Sequence, residues 1–144
     1  MSKIQIIKID NEQNILHAFS IRETVFIKEQ GVTTEEEFDV WDNLATHFLA
    51  LRKEKPVATA RCQLTEKGVK LERFSVLKEF RRCGIGSRLL DFMLNDQILS
   101  GNNFFYLHSQ LDAVNFYSRL DFVPQGDTFL EAGIEHILMT RNIK

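Results

Sequence analysis

Cysteine is scarce in this chain of 144 residues, which holds only Cys62 and Cys83. Two thiols cannot build the bridge framework of a small secreted domain, and they lack the CxxC spacing of a zinc site. Proline is as rare, with two residues, and the seven glycines are scattered, so there is neither a linker nor a low-complexity tract. No internal repeat is present. No segment reaches the ~20 apolar residues of a membrane span. Met1-Ser2-Lys3-Ile4-Gln5 lacks the apolar run of a secretion signal. Charge of one sign is missing too. Lys and Arg number 18 against 20 Asp and Glu, a formal net charge of -2. That balance excludes the basic stripe of a general nucleic-acid binder and any electrostatic draw to an anionic membrane. The expectation is one reduced, cytoplasmic domain over residues 1–144, with no metal, nucleic-acid or membrane partner.

What is present is apolar bulk: 44% hydrophobic residues, with twelve Phe against one Trp and two Tyr. A chain of this length buries roughly two thirds of its unfolded surface, enough to fold without staples. Ile4, Ile6 and Ile9 read as an opening strand, and Asp10-Asn11 as a helix cap. From Glu12 to Lys28, Ile15, Phe19, Arg22 and Phe26 share a helical face that Gly31 ends. The acidic run Glu35-Glu36-Glu37-Phe38-Asp39 follows as a loop or short helix. Strands are expected at His47–Leu51, Val57–Leu64 and Val69–Leu77, joined by tight turns and therefore antiparallel. Ile85–Leu99 is apolar on too many sides to be a surface helix. Phe104–Leu107 reads as a strand, Ala113–Leu120 as a helix and Ile134–Thr140 as a closing strand. The order β-α-(α)-β-β-β-α-β-α-β-β describes an α/β (α+β) fold, a mixed sheet with helices on both faces.

The most informative stretch runs from Phe74 to Leu89. A strand ends, a basic turn Arg81-Arg82-Cys83 follows, and Gly84 and Gly86 open a helix. Glycine lets backbone N–H groups approach a ligand, and a helix N-terminus carries partial positive charge. Together they suit a diphosphate, with Arg81 and Arg82 beside it. A Walker A loop would need a Lys after Gly86, and there is none. A dinucleotide fingerprint would need a third glycine where Leu89 stands. What remains is [R/Q]xxGxG after a strand, matched by Arg81, Gly84 and Gly86.

On these residues the chain resembles the GNAT superfamily of acetyl-coenzyme A-dependent N-acetyltransferases. A second family feature, a polar residue before a helix ending in FYxxxGF, is matched by Gln110 and by Phe116-Tyr117-Ser118-Arg119-Leu120-Asp121-Phe122. Val25-Phe26, Glu29-Gln30-Gly31 and Phe129–His136 further resemble a small bacterial-type, single-domain subgroup. Asp121 stands where the family usually has Gly, so the turn is expected to be made differently. The resemblance implies a GNAT-type, mostly antiparallel central sheet flanked by helices. It implies acetyl-CoA as co-substrate, an amine of a small molecule or peptide as acceptor, and room for a homodimer. The backbone of Phe74, Ser75 and Val76 would pair with the pantetheine arm, and the loop of Arg81, Arg82, Cys83, Gly84, Ile85, Gly86 and Ser87 would hold the diphosphate. Gln110 would bind the pantetheine or nucleotide side. Tyr117 would protonate the departing thiolate, and the N–H near Val76 would polarise the acetyl carbonyl.

For the proton-accepting group the sequence offers Glu72, expected by period 2 to share the face of Phe74, together with Glu29, His47, His108, His136 or a water relay. Glu35, Glu36, Glu37, Asp39 and Asp42 would either attract a cationic amine or form a solvated loop. Arg61 and Arg73 would either recognise a carboxylate or pair with Glu72 and its neighbours. Cys83, at a helix N-terminus, offers a redox handle. The rival reading is a catalytically idle CoA-binding sensor or protein-interaction module.

Overall fold

Short runs of β-branched and aromatic residues build the sheet of the computed structural model, which describes residues 3–143 and leaves Met1, Ser2 and Lys144 outside. Its strands are β1 (Ile4–Lys8), β2 (Thr46–Arg52), β3 (Lys55–Thr65), β4 (Gly68–Val76), β5 (Phe104–Gln110), β6 (Val123–Glu131) and β7 (Ile134–Asn142). They lie in the order β1-β2-β3-β4-β5-β7-β6. All neighbours are antiparallel except β4 and β5, which a helical crossover makes parallel. The expected mixed, mostly antiparallel sheet is therefore what forms.

Helix α1 (Glu12–Arg22) starts at Asn11, whose side chain accepts a hydrogen bond from the Asn14 amide at 2.9 Å. It runs on as a π-helical segment, Glu23–Glu29, and stops at Gly31, which takes φ +76° and bonds its N–H to the Ile27 carbonyl at 3.0 Å. Its core side is Ala18, Ile21, Arg22 and Val25; Ile15, Phe19 and Phe26 are half-buried, so the expected face is rotated by about one residue. Arg22 is drawn inward by carboxylates, described below, rather than by its neighbours on the helix.

The acidic run is a short helix, α2 (Thr34–Glu37), followed by a 3-10 turn at Val40–Asn43. Helix α3 (Ile85–Leu99) has the expected bounds, and its Ile85, Leu89, Leu90, Met93 and Leu94 are buried. The expected helix after β5 is shorter, a 3-10 turn at Leu111–Ala113 leading into α4 (Val114–Ser118). Asp121 itself adopts φ +69°, and the Phe122 amide bonds to the Tyr117 carbonyl at 3.1 Å. The turn is thus made in the left-handed region that glycine would use, which Asp tolerates better than most residues. That corrects the expectation of a different turn.

Two apolar clusters fill the two faces of the sheet. The larger lies under α3 and α4 and includes Phe48, Ala50, Leu71, Phe105 and Leu107; the smaller joins Leu49 to Ala18, Ile21 and Val25 of α1. The alternation of Phe48, Leu49 and Ala50 between them is the period of a strand buried on both sides.

Candidate active site

The parallel pair that joins the two halves of the sheet is short. β4 and β5 share a ladder only between Val69–Leu71 and Phe105–Leu107. Beyond Leu71 and Leu107 they form no further ladder pairs, and a cleft of about 1110 Å³ is lined by residues of both strands, the α3 loop and α4. That is more than the roughly 300–1,000 Å³ of ordinary small-molecule pockets, and suits a long ligand.

One wall is the turn into α3. Arg82 and Gly84 take φ of +63° and +79°, flanking Cys83 in a nest-like turn. Among the described residues, the six successive amides from Arg82 to Ser87 donate no hydrogen bond, and no side chain caps α3. A row of free N–H groups at the start of a 15-residue helix is an anion cradle. The two glycines serve it differently. A Cβ on Gly84 would meet no atom within 4 Å, so that position stays open toward a ligand, whereas one on Gly86 would press Phe116 at 3.2 Å and Phe74 at 3.3 Å. Gly86 therefore lets α3 pack close to β4 and α4.

Arg81 does not add free charge to this cradle as expected. Its guanidinium grips Glu29 with two bonds of 2.8 Å and donates from Nε to the Val76 carbonyl, also at 2.8 Å. The hydrogen bond from Arg81 holds the Glu29 carboxyl below its ordinary range, which makes Glu29 a poor base. Arg82 and Arg119 line the cleft and form no ion pair among the described residues. Arg119 was not read from the sequence; its only signal was its place one turn after Phe116. Cys83 is exposed, with Sγ 3.5 Å from the Arg81 carbonyl. Cys62 is buried, and burial pushes its thiol up to about 12.

Tyr117 lines the cleft among Phe74, Phe116 and Phe122, with ring centroids at 6.1, 5.0 and 6.1 Å. Burial raises its phenol well above the ordinary range, so it holds its proton. Ser75 also lines the cleft, and its buried Oγ has no hydrogen-bond partner. Gln110 donates from Nε2 to the Gln30 side chain at 2.9 Å, joining the end of β5 to the end of the π-helical segment.

Glu72 does not share the face of Phe74. The register passes from Arg61 opposite Glu72 to Thr59 opposite Ser75, so β4 carries one extra residue, and Arg73 at φ +56° absorbs it. Phe74 consequently packs with Leu71 on the α3 side, while Glu72 and Ser75 share the opposite face with Arg61 and Thr59. Both oxygens of Glu72 are engaged: Oε1 by Gln63 at 2.7 Å and Arg61 at 3.2 Å, Oε2 by Lys70 at 3.2 Å.

Of the acidic residues, Glu37, Asp39 and Asp42 are held by arginines, whereas Glu35 and Glu36 are exposed and Glu36 lines the cleft. Buried Arg22 bonds Glu37 at 2.9 Å and Asp42 at 2.6 Å, and buried Arg61 bonds Asp39 at 2.8 Å and Asp42 at 2.6 Å. Arg73 reaches Glu37 at 3.4 Å and Asp39 at 3.3 Å. Burial alone would push Asp39 and Asp42 up, but the bonds and charges of the arginines hold both below the ordinary carboxylate range. For Glu37 burial wins, and its carboxyl rises. Arg61 thus pairs with Glu72, one of the two expectations, and with two more carboxylates, Asp39 and Asp42, whereas Arg73 turns to Glu37 and Asp39. His47 sits behind this network, its Nε2 at 2.9 Å from the Asp42 carbonyl, and does not line the cleft.

A cluster the sequence did not assemble closes the other wall. His108 Nδ1 lies 2.9 Å from Glu131 Oε1, and His136 Nε2 3.8 Å from Glu131 Oε2. The signal for it was the hairpin turn Ala132-Gly133, both at positive φ, which sets Phe129 opposite His136. Among the described residues no group of three or more His, Cys, Asp or Glu is placed to hold a metal ion, and no helix is long and apolar enough to cross a membrane.

The comparisons with known proteins agree with this architecture. Residues 9–143 match the family model described as an acetyltransferase (GNAT) domain. YjcF of Bacillus subtilis (strain 168), an uncharacterised N-acetyltransferase, is 37% identical over 133 residues, 92% of this chain and 95% of that protein. An acyl-CoA N-acyltransferase of Pseudomonas aeruginosa superposes with a TM-score of 0.81 at 26% identity, covering 98% of this chain and 99% of that one. Escherichia coli ElaA shares the fold, with a TM-score of 0.84 at 24% identity over 99% and 100% of the two chains. With a strand, a glycine-opened cradle and a splayed parallel pair in these positions, the chain belongs to the GNAT acetyltransferase family.

Proposed function

We propose that the protein is an N-acetyltransferase that moves the acetyl group of acetyl-CoA directly to the amine of a small molecule or peptide. The observation that carries this reading is the row of six unpartnered amides from Arg82 to Ser87, of which Arg82, Gly84, Gly86 and Ser87 belong to residues that line the cleft. The residues present fit such a ligand. The amides would take the diphosphate, with Arg82 and Arg119 adding charge. β4 beyond Leu71 has no ladder partner on its β5 side, so Phe74, Ser75 and Val76 can receive an extended arm as an added strand. The orphaned Ser75 Oγ supplies a polar group that lacks a partner within the protein. Gln110, at the end of β5, would meet the same arm after exchanging its bond to Gln30.

Bound there, acetyl-CoA supplies an activated acyl group on a thiol that leaves readily. The protein's part is to hold the amine against it and to manage two protons. Tyr117, kept protonated by burial, donates to the departing sulfur. The test is calorimetry with CoA followed by turnover across an amine panel. Tyr117→Phe is expected to lower kcat by about 100-fold or more while leaving CoA affinity within about twofold. Equal losses in both would make Tyr117 a packing residue. CoA binding without turnover on any amine would identify an idle CoA-binding module instead.

A further inference from the structure

Glu72 and His108 are the first residues past the last ladder pair, Leu71 opposite Leu107, and so stand on either side of the point where β4 and β5 part. Leu71 and Leu107 both lie in the apolar cluster under α3, so by strand alternation Glu72 and His108 face the opposite side, away from Tyr117 and Phe74. A thioester laid along the α3 side and an acceptor approaching from the other face would meet at this point. Of the two groups, Glu72 is held by three donors, two of them cationic. Its two oxygens are thus already taken up by the protein's own donors.

His108 is arranged in the opposite way. A carboxylate can only accept, so the 2.9 Å contact with Glu131 requires a hydrogen on His108 Nδ1, and the neutral ring then carries its lone pair on Nε2. The hydrogen bond from His108 holds the Glu131 carboxyl below its ordinary range, which keeps it an acceptor. His108 is part-exposed and lines the cleft. Phe129 packs edge-on against its ring at 5.0 Å, fixing the plane. His136 is oriented by its own Nδ1, which donates to the Ile134 carbonyl at 2.7 Å, leaving Nε2 toward the second oxygen of Glu131. The arrangement is that of a base held by an orienting carboxylate.

We infer that His108, positioned by Glu131, is the group that takes the proton from the acceptor nitrogen. The inference deepens the proposed acetyl transfer and rests on it. As the amine attacks, the N–C bond forms and the C–S bond breaks; the proton displaced from nitrogen goes to His108 Nε2, and the sulfur takes one from Tyr117. His108 and Tyr117 then re-equilibrate with solvent, so that protons, atoms and electrons balance over a turnover. Glu131 stabilises the imidazolium formed. The charged or titratable groups that face His108 are Tyr106 from β5, Glu131 from β6 and His136 from β7, with Lys70 and Glu72 of β4 lining the same cleft.

The experiment combines kinetics, CoA calorimetry and nitrogen NMR of the whole protein. His108→Ala is expected to lose about 100-fold in kcat/KM, to lose the acidic limb of the pH profile and to regain part of the rate with added imidazole, at unchanged CoA affinity. In the unsubstituted protein NMR should find the hydrogen of neutral His108 on Nδ1, and Glu131→Leu should abolish that preference. A His108→Ala rate within about threefold of the unsubstituted protein, a persisting acidic limb, or a hydrogen found on Nε2 would overturn the assignment of His108. Failure of the unsubstituted protein to acetylate any amine would overturn the functional reading itself, and the two failures are thereby told apart.

Discussion

The cleft is bounded by two polar regions built on opposite principles. In the network of Arg22, Arg61 and Arg73 with Glu37, Asp39, Asp42 and Glu72, every charge has a countercharge within 3.4 Å. Of its buried side-chain atoms, only Arg61 Nε, with His47 Nδ1 beside it, lacks a partner. In the turn into α3, six amides in succession lack partners among the described residues. Buried charge is tolerated only when paired, and the network ties α1, α2 and the following turn to β3 and β4. Backbone donors left open at the surface cost little while water serves them and become valuable when an anion replaces it. Paired charge therefore marks the scaffold, and the glycine-bearing turn with its open amides marks the proposed binding site.

That contrast can be broken most severely at Arg61. Arg61→Met should cost about 3–5 kcal/mol by leaving Glu37, Asp39, Asp42 and Glu72 with one buried countercharge fewer, read as a large fall in thermal midpoint, with CoA affinity preserved in the protein that remains folded. Gly84→Val does the converse. It places a branched side chain at φ +79°, costing about 1–2 kcal/mol of stability, and fills the open side of the cradle. CoA affinity should drop at least about tenfold, and calorimetry showing unchanged binding would remove the cradle from the site. The smallest effect is expected from acid. Burial holds His47 below its ordinary 6.5, so the folded state binds fewer protons than the unfolded chain, and its contribution is present above pH 6.5 and lost as pH falls below it. Asp39 and Asp42, held low, contribute above pH 3.8 and lose that contribution below it, while Glu37, raised from 4.5, works in the other direction. His47→Gln, which keeps a donor for the Asp42 carbonyl, should flatten only the first part of the decline in denaturation midpoint. A slope unchanged by that substitution would exclude His47 from the network's pH response.

Element order was legible because it rests on local signals: strand-length apolar runs, tight turns and the apolar density of Ile85–Leu99. The cradle was legible for the same reason, since Gly84 and Gly86 directly follow a strand and open a helix. What escaped depended on contacts distant in sequence. Arg81 looked free because its partner, Glu29, lies 52 residues away. The pairing of Glu37, Asp39 and Asp42 was hidden because Arg22 and Arg61 reach them from α1 and β3. Glu72 was placed on the wrong face because period 2 assumes an unbroken ladder, and nothing local announces that Arg73 will take a left-handed conformation. His108 read as an isolated strand histidine until the β6–β7 hairpin delivered Glu131 to it.

The irregularity at Arg73 also gives β4 one residue that the ladder with β3 does not need. Removing Arg73 would let the ladder run unbroken, with Phe74 opposite Ala60 of the cluster under α3, and would leave Phe74, Ser75 and Val76 on the faces they hold now. A one-codon deletion at Arg73 would therefore straighten the strand where it borders the cleft and cost the contacts of Arg73 with Glu37 and Asp39, while the side chains that line the cleft from Phe74 onward would keep their sides.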